Sequence, residues 1–174
     1  MRILSIPVLA AAGLTLAACE TMPPAPPPPP PQAAPSAYVF RSQDFAWSAI
    51  PGTAGLAARV SYRQGPTTFA CTNAVLIPET AFSTRRMMTL YGSATASAMT
   101  EAEVRSRTTP APNGFGDFVR SAGCDAQSRF SFGKLPDGAW FVITVARPTA
   151  GTAAPMALMK RVVTKTGQTV SVEL

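Results

Sequence analysis

A proline tract constrains this chain more than any other feature. Residues 23–35 read PPAPPPPPPQAAP and hold nine of the eighteen prolines in the sequence. Proline has no backbone N–H to donate and fixes φ near −65°, so such a run cannot build a helix or join a sheet ladder. Its accessible form is a polyproline II rod, which at about 3.1 Å per residue reaches roughly 40 Å over thirteen residues. The tract is therefore expected to be a semi-rigid spacer. Docking in an aromatic groove of a partner is the other use of such sequences, but no Arg or Lys lies on its carboxyl side nearer than Arg41 to set an orientation. A packed core must lie beyond it, in residues 37–174, a length suited to one domain.

Ahead of the tract, Arg2 gives a short positive start and Ile3 to Ala18, ILSIPVLAAAGLTLAA, is uncharged and ends in small residues. That is the layout of a secretory signal. The run is interrupted by Pro7 and Gly13 and is shorter than the roughly 20 apolar positions a spanning helix needs. Leu16, Ala17, Ala18 and Cys19 read LAAC, which resembles the lipobox of bacterial lipoproteins. The resemblance implies cleavage before Cys19 and acylation of that cysteine. The chain is then expected to divide into a signal peptide (1–18), a lipidated amino terminus with a proline-rich linker (19–36) and a β-sandwich domain (37–174). Two or more acyl chains anchor stably, because each buried methylene contributes about 0.8 kcal/mol and one chain alone holds only marginally. In this class an aspartate after the cysteine favours the inner membrane; Glu20 stands there instead, so the resemblance implies the outer membrane, with the domain in the periplasm or at the cell surface. An ordinary signal peptide with a chance cysteine is the other reading.

Within 37–174, Ala54, Leu56, Ala58, Val60 and Tyr62 alternate with Gly55, Ala57, Arg59 and Ser61, a half-buried strand that ends at the Gln64-Gly65-Pro66 turn. Thr67 to Cys71 and Ala74 to Ile77, split by Thr72-Asn73 and closed by Pro78, read as its hairpin partner. Ser83 to Tyr91 places Met87, Leu90 and Tyr91 on one helical face with Gly92 as C-cap, and Thr100 with Glu103 forms a capping-box pattern for a second short helix. Phe130 and Phe132 point one way ahead of Leu135-Pro136-Asp137-Gly138, and Trp140 to Val145 is dense in β formers, so 130–145 reads as a hairpin. A last hairpin joins Leu158, Lys160, Val162 and Thr164 through Thr166-Gly167-Gln168 to Val170, Val172 and Leu174. The expected fold is mainly β, an antiparallel β-sandwich of transthyretin-like or Ig-like type, with one or two short helices in a long connection. The segment FSFGKLPDGAWFVITV at 130–145, with the valine-rich strands around Gly167, resembles the second half of the transthyretin-like or carboxypeptidase-regulatory-like sandwich. That resemblance implies an accessory or binding module.

The chemistry available is narrow. There is no histidine, which removes His-based triads, His-metal clusters and imidazole acid/base work. Ser131 and Lys134 have Ser-x-x-Lys spacing, but in a strand and turn they should not converge. Asp137 is explained by its turn, and Asp117 and Asp125 carry no spacing that marks a glycosidase couple. Met87, Met88, Met99, Met156 and Met159 invite a copper reading, yet Met87 continues an apolar helical face and Met156 and Met159 point opposite ways on a strand. Trp47, Trp140 and Phe141 offer a ligand platform, whereas Trp140 inside a strand reads as core. No catalytic residue, metal site or cofactor is expected. With Cys19 assigned to the lipid, Cys71 and Cys124 are an even pair in a disulfide-permissive compartment and are expected to be bonded; free buried thiols and an intermolecular bridge are the alternatives.

Residues 37–174 carry fourteen Arg or Lys against eight Asp or Glu. Local concentrations at Arg85-Arg86, Arg105 with Arg107, and Lys160-Arg161 are candidate contacts to an anionic glycan, lipid or protein face, with a solvated surface as the plain alternative. Nucleic acid is not an expected partner, since export removes it and no aromatic-basic ladder appears. The functional expectation is a membrane-anchored envelope lipoprotein acting as a non-enzymatic binding or structural module, its partners the bilayer, through acylated Cys19, and another envelope component. A lipoprotein hydrolase acting on envelope glycan or peptide and a metal-handling periplasmic module are the alternatives.

Overall fold

A computed structural model describes residues 38–108 and 110–174; the expected signal, Cys19 and the proline tract lie outside them. In chain order the elements are β1 (Ala54–Arg59), β2 (Arg63–Gln64), β3 (Thr67–Pro78), α1 (Ala81–Tyr91), β4 (Ala96–Thr100), α2 (Glu101–Ser106), β5 (Arg120–Gly123), β6 (Arg129–Leu135), β7 (Gly138–Pro148), β8 (Met156–Thr164) and β9 (Thr169–Glu173). Short 3-10 segments cover Ser42–Ala49 and Phe115–Phe118. The strands make two sheets, a small one in the order β6-β1-β9 and a large one in the order β2-β3-β7-β8-β4, with β5 also paired to β3. This is the expected mainly β sandwich. One pairing departs from the antiparallel expectation: β9 lies parallel to β1, from Gly55 opposite Thr169 to Arg59 opposite Glu173.

The large sheet is the middle of three layers. One face presents Leu76, Trp140, Val142, Leu158 and Val162 to Leu56, Ala58, Phe130, Phe132, Leu135 and Val172 of the small sheet. Its other face, with Ile77, Phe141, Ala157 and Met159, is covered by Met87, Leu90 and Tyr91 of α1, Val104 of α2, and Phe45 and Phe115. Met156 and Met159 accordingly belong to different cores.

This layering corrects the three expected hairpins. β6 and β7 are joined by the Leu135–Gly138 turn but do not pair; β6 pairs with β1, and β7 with β3 and β8. The same holds for β8 and β9, which lie in different sheets. Likewise β1 does not pair with β3, whose hairpin partner is the two-residue β2. The reason is the number of apolar faces. β6 buries Phe130, Phe132 and Leu135 and exposes Ser131, so it suits an outer sheet wetted on one side; β7 buries the consecutive Trp140, Phe141 and Val142 and needs cover on both faces. Within β3, Thr72-Asn73 is a bulge in one continuous strand, where the register against β7 shifts between Cys71 and Ala74.

Two of the crossovers between sheets, β6 to β7 and β8 to β9, meet at one end of the sandwich. There the Trp140 indole N–H donates to the Thr164 hydroxyl at 3.0 Å, and that hydroxyl donates to the Pro136 carbonyl at 2.7 Å. Thr166 and Asp137 join the two turns at 2.6 Å. The Trp47 ring packs edge-on against Trp140 with centroids 5.0 Å apart, and Arg120 reaches over the same indole to the Ser48 carbonyl at 2.7 Å. Partial burial pulls the Arg120 pKa below the usual guanidinium value.

α1 begins two residues earlier than its sequence suggests. Thr80 caps it: the Ser83 N–H donates to the Thr80 hydroxyl and the Thr80 N–H donates to the Ser83 hydroxyl. Serine at this third position replaces the Glu or Gln of the usual capping box, which is why the start was not legible. Gly92 ends the helix in the left-handed region, as expected, and Thr100 with Glu103 caps α2. The Cys71–Cys124 disulfide is formed, with Cα atoms 5.9 Å apart. It fastens the end of β5 to β3 across a separation of 53 residues, which the chain-entropy relation values at about 4 kcal/mol.

Gly138 sits at the β6–β7 corner directly against the Trp47 ring, where an added Cβ has no room, whereas Gly133 faces open space. Gly138→Ala is expected to lower stability by about 1–3 kcal/mol through overpacking. Gly133→Ala should leave the chemical denaturation midpoint nearly unchanged, and equal midpoints for the two variants would contradict this account of the corner.

Candidate functional site

The six basic residues singled out in the sequence do not form one patch. Arg105 pairs with Glu101 at 2.6 Å, and Arg161 with Glu79 at 2.6 Å. Lys160 donates to the Glu173 carbonyl at 3.0 Å, and Arg107 lies near the Leu90 carbonyl and the Met99 sulfur at 3.5 and 3.6 Å. Arg85 stands over the Tyr38 ring at 4.7 Å and Arg86 over the Phe115 ring at 5.9 Å, so these two belong to the helical layer. Asp117, Asp125 and Asp137 lie on three separate stretches of chain. Among the described residues no group of three His, Cys, Asp or Glu side chains could hold a metal. Trp140 is fully buried and is core.

A concavity lies elsewhere, on the outer face of the small sheet. Alternation in β1, β6 and β9 turns their apolar residues inward and leaves Ala57, Ser131 and Ser171 side by side across three strands. One register step of two residues further, Glu173, Arg59 and Arg129 form a second row. Small side chains in the first row and long charged ones in the second leave a groove of about 780 Å³, completed by Ala122 and Gly123 of β5 and by Asp125. No aromatic side chain faces solvent there, because Phe130, the aromatic residue of its lining, is buried.

The charged end of the groove is preorganised. Asp125 accepts from the Gln127 and Arg129 N–H groups at 2.9 and 2.8 Å and from the Arg129 Nε at 2.9 Å. Arg129 Nη2 donates to Gln127 Oε1 at 3.1 Å. The disulfide precedes this turn by one residue, and the Cys124 N–H donates to the Thr72 carbonyl at 2.9 Å. The loop that aims Arg129 is thereby pinned to the large sheet. Backbone donation from Arg129 is the first cause that holds the Asp125 carboxyl below its ordinary value of 3.8. Further help comes from the Arg129 side chain and the Gln127 N–H.

The sequence contained a signal for this groove that its local motifs obscured. In AGLAAR, RFSFGKL and TVSVE the outward positions include Gly55, Ala57, Ser131, Gly133, Thr169 and Ser171, and each strand carries a charge at one end of that row. Recognising it requires knowing that β1, β6 and β9 are neighbours, and the expected hairpins put them elsewhere.

No known protein-family model matches the sequence, and no curated protein matches it. The fold is similar to that of PA1324 from Pseudomonas aeruginosa, a protein whose crystal structure is provisionally described as that of a carbohydrate binding protein. The two superpose with a TM-score of 0.57 at 17% identity, over 78% of this chain and 96% of that one. At that identity the likeness is one of fold.

The depressed Asp125 pKa has a checkable sign. A carboxyl with a lower pKa folded than unfolded contributes stability above its ordinary value, and that contribution is lost as pH falls through the folded value. Nuclear magnetic resonance titration should therefore place Asp125 below 3.8, with Arg129 Nε resonances shifting in the same step. A midpoint at or above 3.8 would overturn the geometry of this turn.

Proposed function

We propose that this protein is a lipid-anchored envelope module that binds a hydroxyl-rich glycan, without cleaving it, across the outer face of the small sheet. The observation that carries the reading is the groove itself: a floor of Ala57, Ser131 and Ser171 beside the row Glu173, Arg59, Arg129 and Asp125. Two cations and two carboxylates balance, so the row offers fixed donors and acceptors rather than a net field. A sugar chain presents donors and acceptors at short intervals and suits such a row, and the guanidinium fork supplies directional donors. Without an exposed ring to stack on, recognition rests on hydrogen bonding. The provisional description of PA1324 as carbohydrate binding supports the same ligand class.

Asp125 and Glu173 line the groove together, which is the feature a hydrolase reading would use. Glycoside hydrolysis needs one carboxyl kept protonated by a raised pKa; Asp125 is pushed the other way by its hydrogen bonds. That supports binding over cleavage. The metal-handling alternative finds no group of three His, Cys, Asp or Glu side chains among the described residues, and Met156 and Met159 lie in different cores.

The anchor belongs to the proposal as well and rests on LAAC at 16–19 followed by the proline spacer. Replacing Cys19 by serine should abolish labelling with a palmitate analogue and release the protein from the membrane fraction. Continued labelling of the variant would defeat the anchor.

Glycan binding has its own test, titration of the protein with neutral and acidic envelope oligosaccharides at two salt concentrations. Arg59→Ala is expected to weaken the neutral ligand about tenfold or more, since hydrogen bonds to charged groups contribute about 1.5–3 kcal/mol. Ala57→Trp, filling the floor at an exposed position, should abolish binding while the denaturation midpoint holds. Salt should have little effect. Undiminished binding by Ala57→Trp would remove the groove from the function.

A further inference from the structure

The helical layer presents a second surface, unlike the groove in every respect. Its outward stripe is built on α1, whose sequence AFSTRRMMTLY contains Arg85 and Arg86 and no acidic residue. Five large hydrophobic residues are prominently exposed among the described residues, and two of them line this face, Tyr38 at 54% and Met88 at 50%, with Val39 at 58% next to Tyr38 in the chain. Arg85 lies over the Tyr38 ring. Two shallow hollows flank the guanidinium, one of about 180 Å³ with Tyr38, Phe82 and Arg86 in its wall and one of about 440 Å³ reaching Met88. Neither is lined by an Asp or Glu. Where the groove balances its charges and exposes no ring, this face is cationic and carries exposed apolar groups.

The position of this face in the chain identifies what would cover it. In the sequence Tyr38 closely follows the proline tract, so this patch includes a residue near the junction of domain and linker. With an acylated Cys19, the covalent link toward the lipid joins the domain near this face, and the groove lies on the outer layer of the other sheet. We infer that the α1 face, with Tyr38 and Val39, docks on the surface of an anionic lipid bilayer, Arg85 and Arg86 meeting headgroup phosphates while Tyr38, Val39 and Met88 enter the interface. The orientation rests on the anchor reading of the preceding subsection; the surface chemistry does not. Aromatic and long apolar side chains beside cations are the composition that settles at a headgroup boundary. Two cations beside exposed apolar groups give a weak, salt-sensitive partitioning from solution that cosedimentation at high lipid concentration reads, and a tether raises the local concentration so that this weak contact suffices. Docked this way, the domain would hold its glycan groove on the side away from the lipid.

The test uses the full chain carrying Cys19→Ser, so that no acyl group contributes, and vesicles of phosphatidylcholine alone or in equal parts with phosphatidylglycerol. Every comparison is made against Cys19→Ser itself, so residues 1–37 contribute equally throughout. Cosedimentation should favour the mixed vesicles and fall steeply with added salt. Arg85→Gln should lower partitioning about fivefold, as expected for one cation near the surface. Met88→Ser, at a half-exposed position, should lower it severalfold at unchanged denaturation midpoint. Ala57→Trp should leave it unchanged. Equal partitioning of Arg85→Gln, Met88→Ser and their parent would overturn the inference, as would loss of acidic oligosaccharide binding in Arg85→Gln with vesicle binding intact. Failure of palmitate labelling at Cys19 would instead strike the anchor while leaving this vesicle comparison to stand.

Discussion

The burial of Trp140 with its indole N–H satisfied is the interaction on which the rest of this architecture depends. A tryptophan brings the largest apolar area of any side chain into a core, together with a donor that cannot be left unpaired there. Thr164 meets that demand from the neighbouring strand, and its own hydroxyl donates to the Pro136 carbonyl in the corner between the sheets. An unsatisfied buried donor would cost about 1–3 kcal/mol, so the bond ties the β7–β8 register to the conformation of the turn. Trp47 and Arg120 close over the same ring and draw the amino-terminal 3-10 segment and β5 to this end. Elements far apart in sequence converge because one large side chain must be covered from several directions.

Much of the fold was legible in the chain. The inward residues of β1, the α1 face with its Gly92 cap, the Thr100 capping box and the core role of Trp140 follow from periodicity and cap chemistry, and the Cys71–Cys124 bond from cysteine count. The partnering of strands was not. Turn residues at Pro136-Asp137-Gly138 and Gly167 mark where the chain reverses, but reversal does not by itself fix which strands pair. The distinction lay in burial on one face or two, which separates FSF from WFV, but it becomes decisive only once a third layer is known to cover the far side of β7. β4, with its weakly apolar ASAMT, carried no strand signal of its own and exists through its ladder to β8.

The two surfaces divide the electrostatics of the domain. Charges in the groove balance in number, and the turn fixes Asp125 and Arg129 among them, an arrangement suited to reading shape and hydroxyl geometry. Cations on α1 stand beside exposed apolar groups without a carboxylate in the lining of either hollow, an arrangement suited to a broad anionic plane. The sequence drew attention to arginine pairs because they are adjacent in the chain. Arg59 and Arg129, seventy positions apart, become neighbours only through β1–β6 pairing, and no local pattern announces them.

The parallel seat of β9 beside β1 sets the order in which the small sheet can be assembled. β1 is its middle strand, yet both neighbours come from distant parts of the chain, Phe132 opposite Leu56 on one side and Val172 opposite Ala58 on the other. In a chain that becomes available for folding amino end first, β1 waits with both edges open until β6 arrives and with one edge open until β9 does. Long-range pairing of this kind is slow, and an open strand edge invites the wrong partner. The alanines and glycine of AGLAAR make β1 a poor template for aggregation during that wait, so the side chains that shape the finished surface also keep the nascent one quiet.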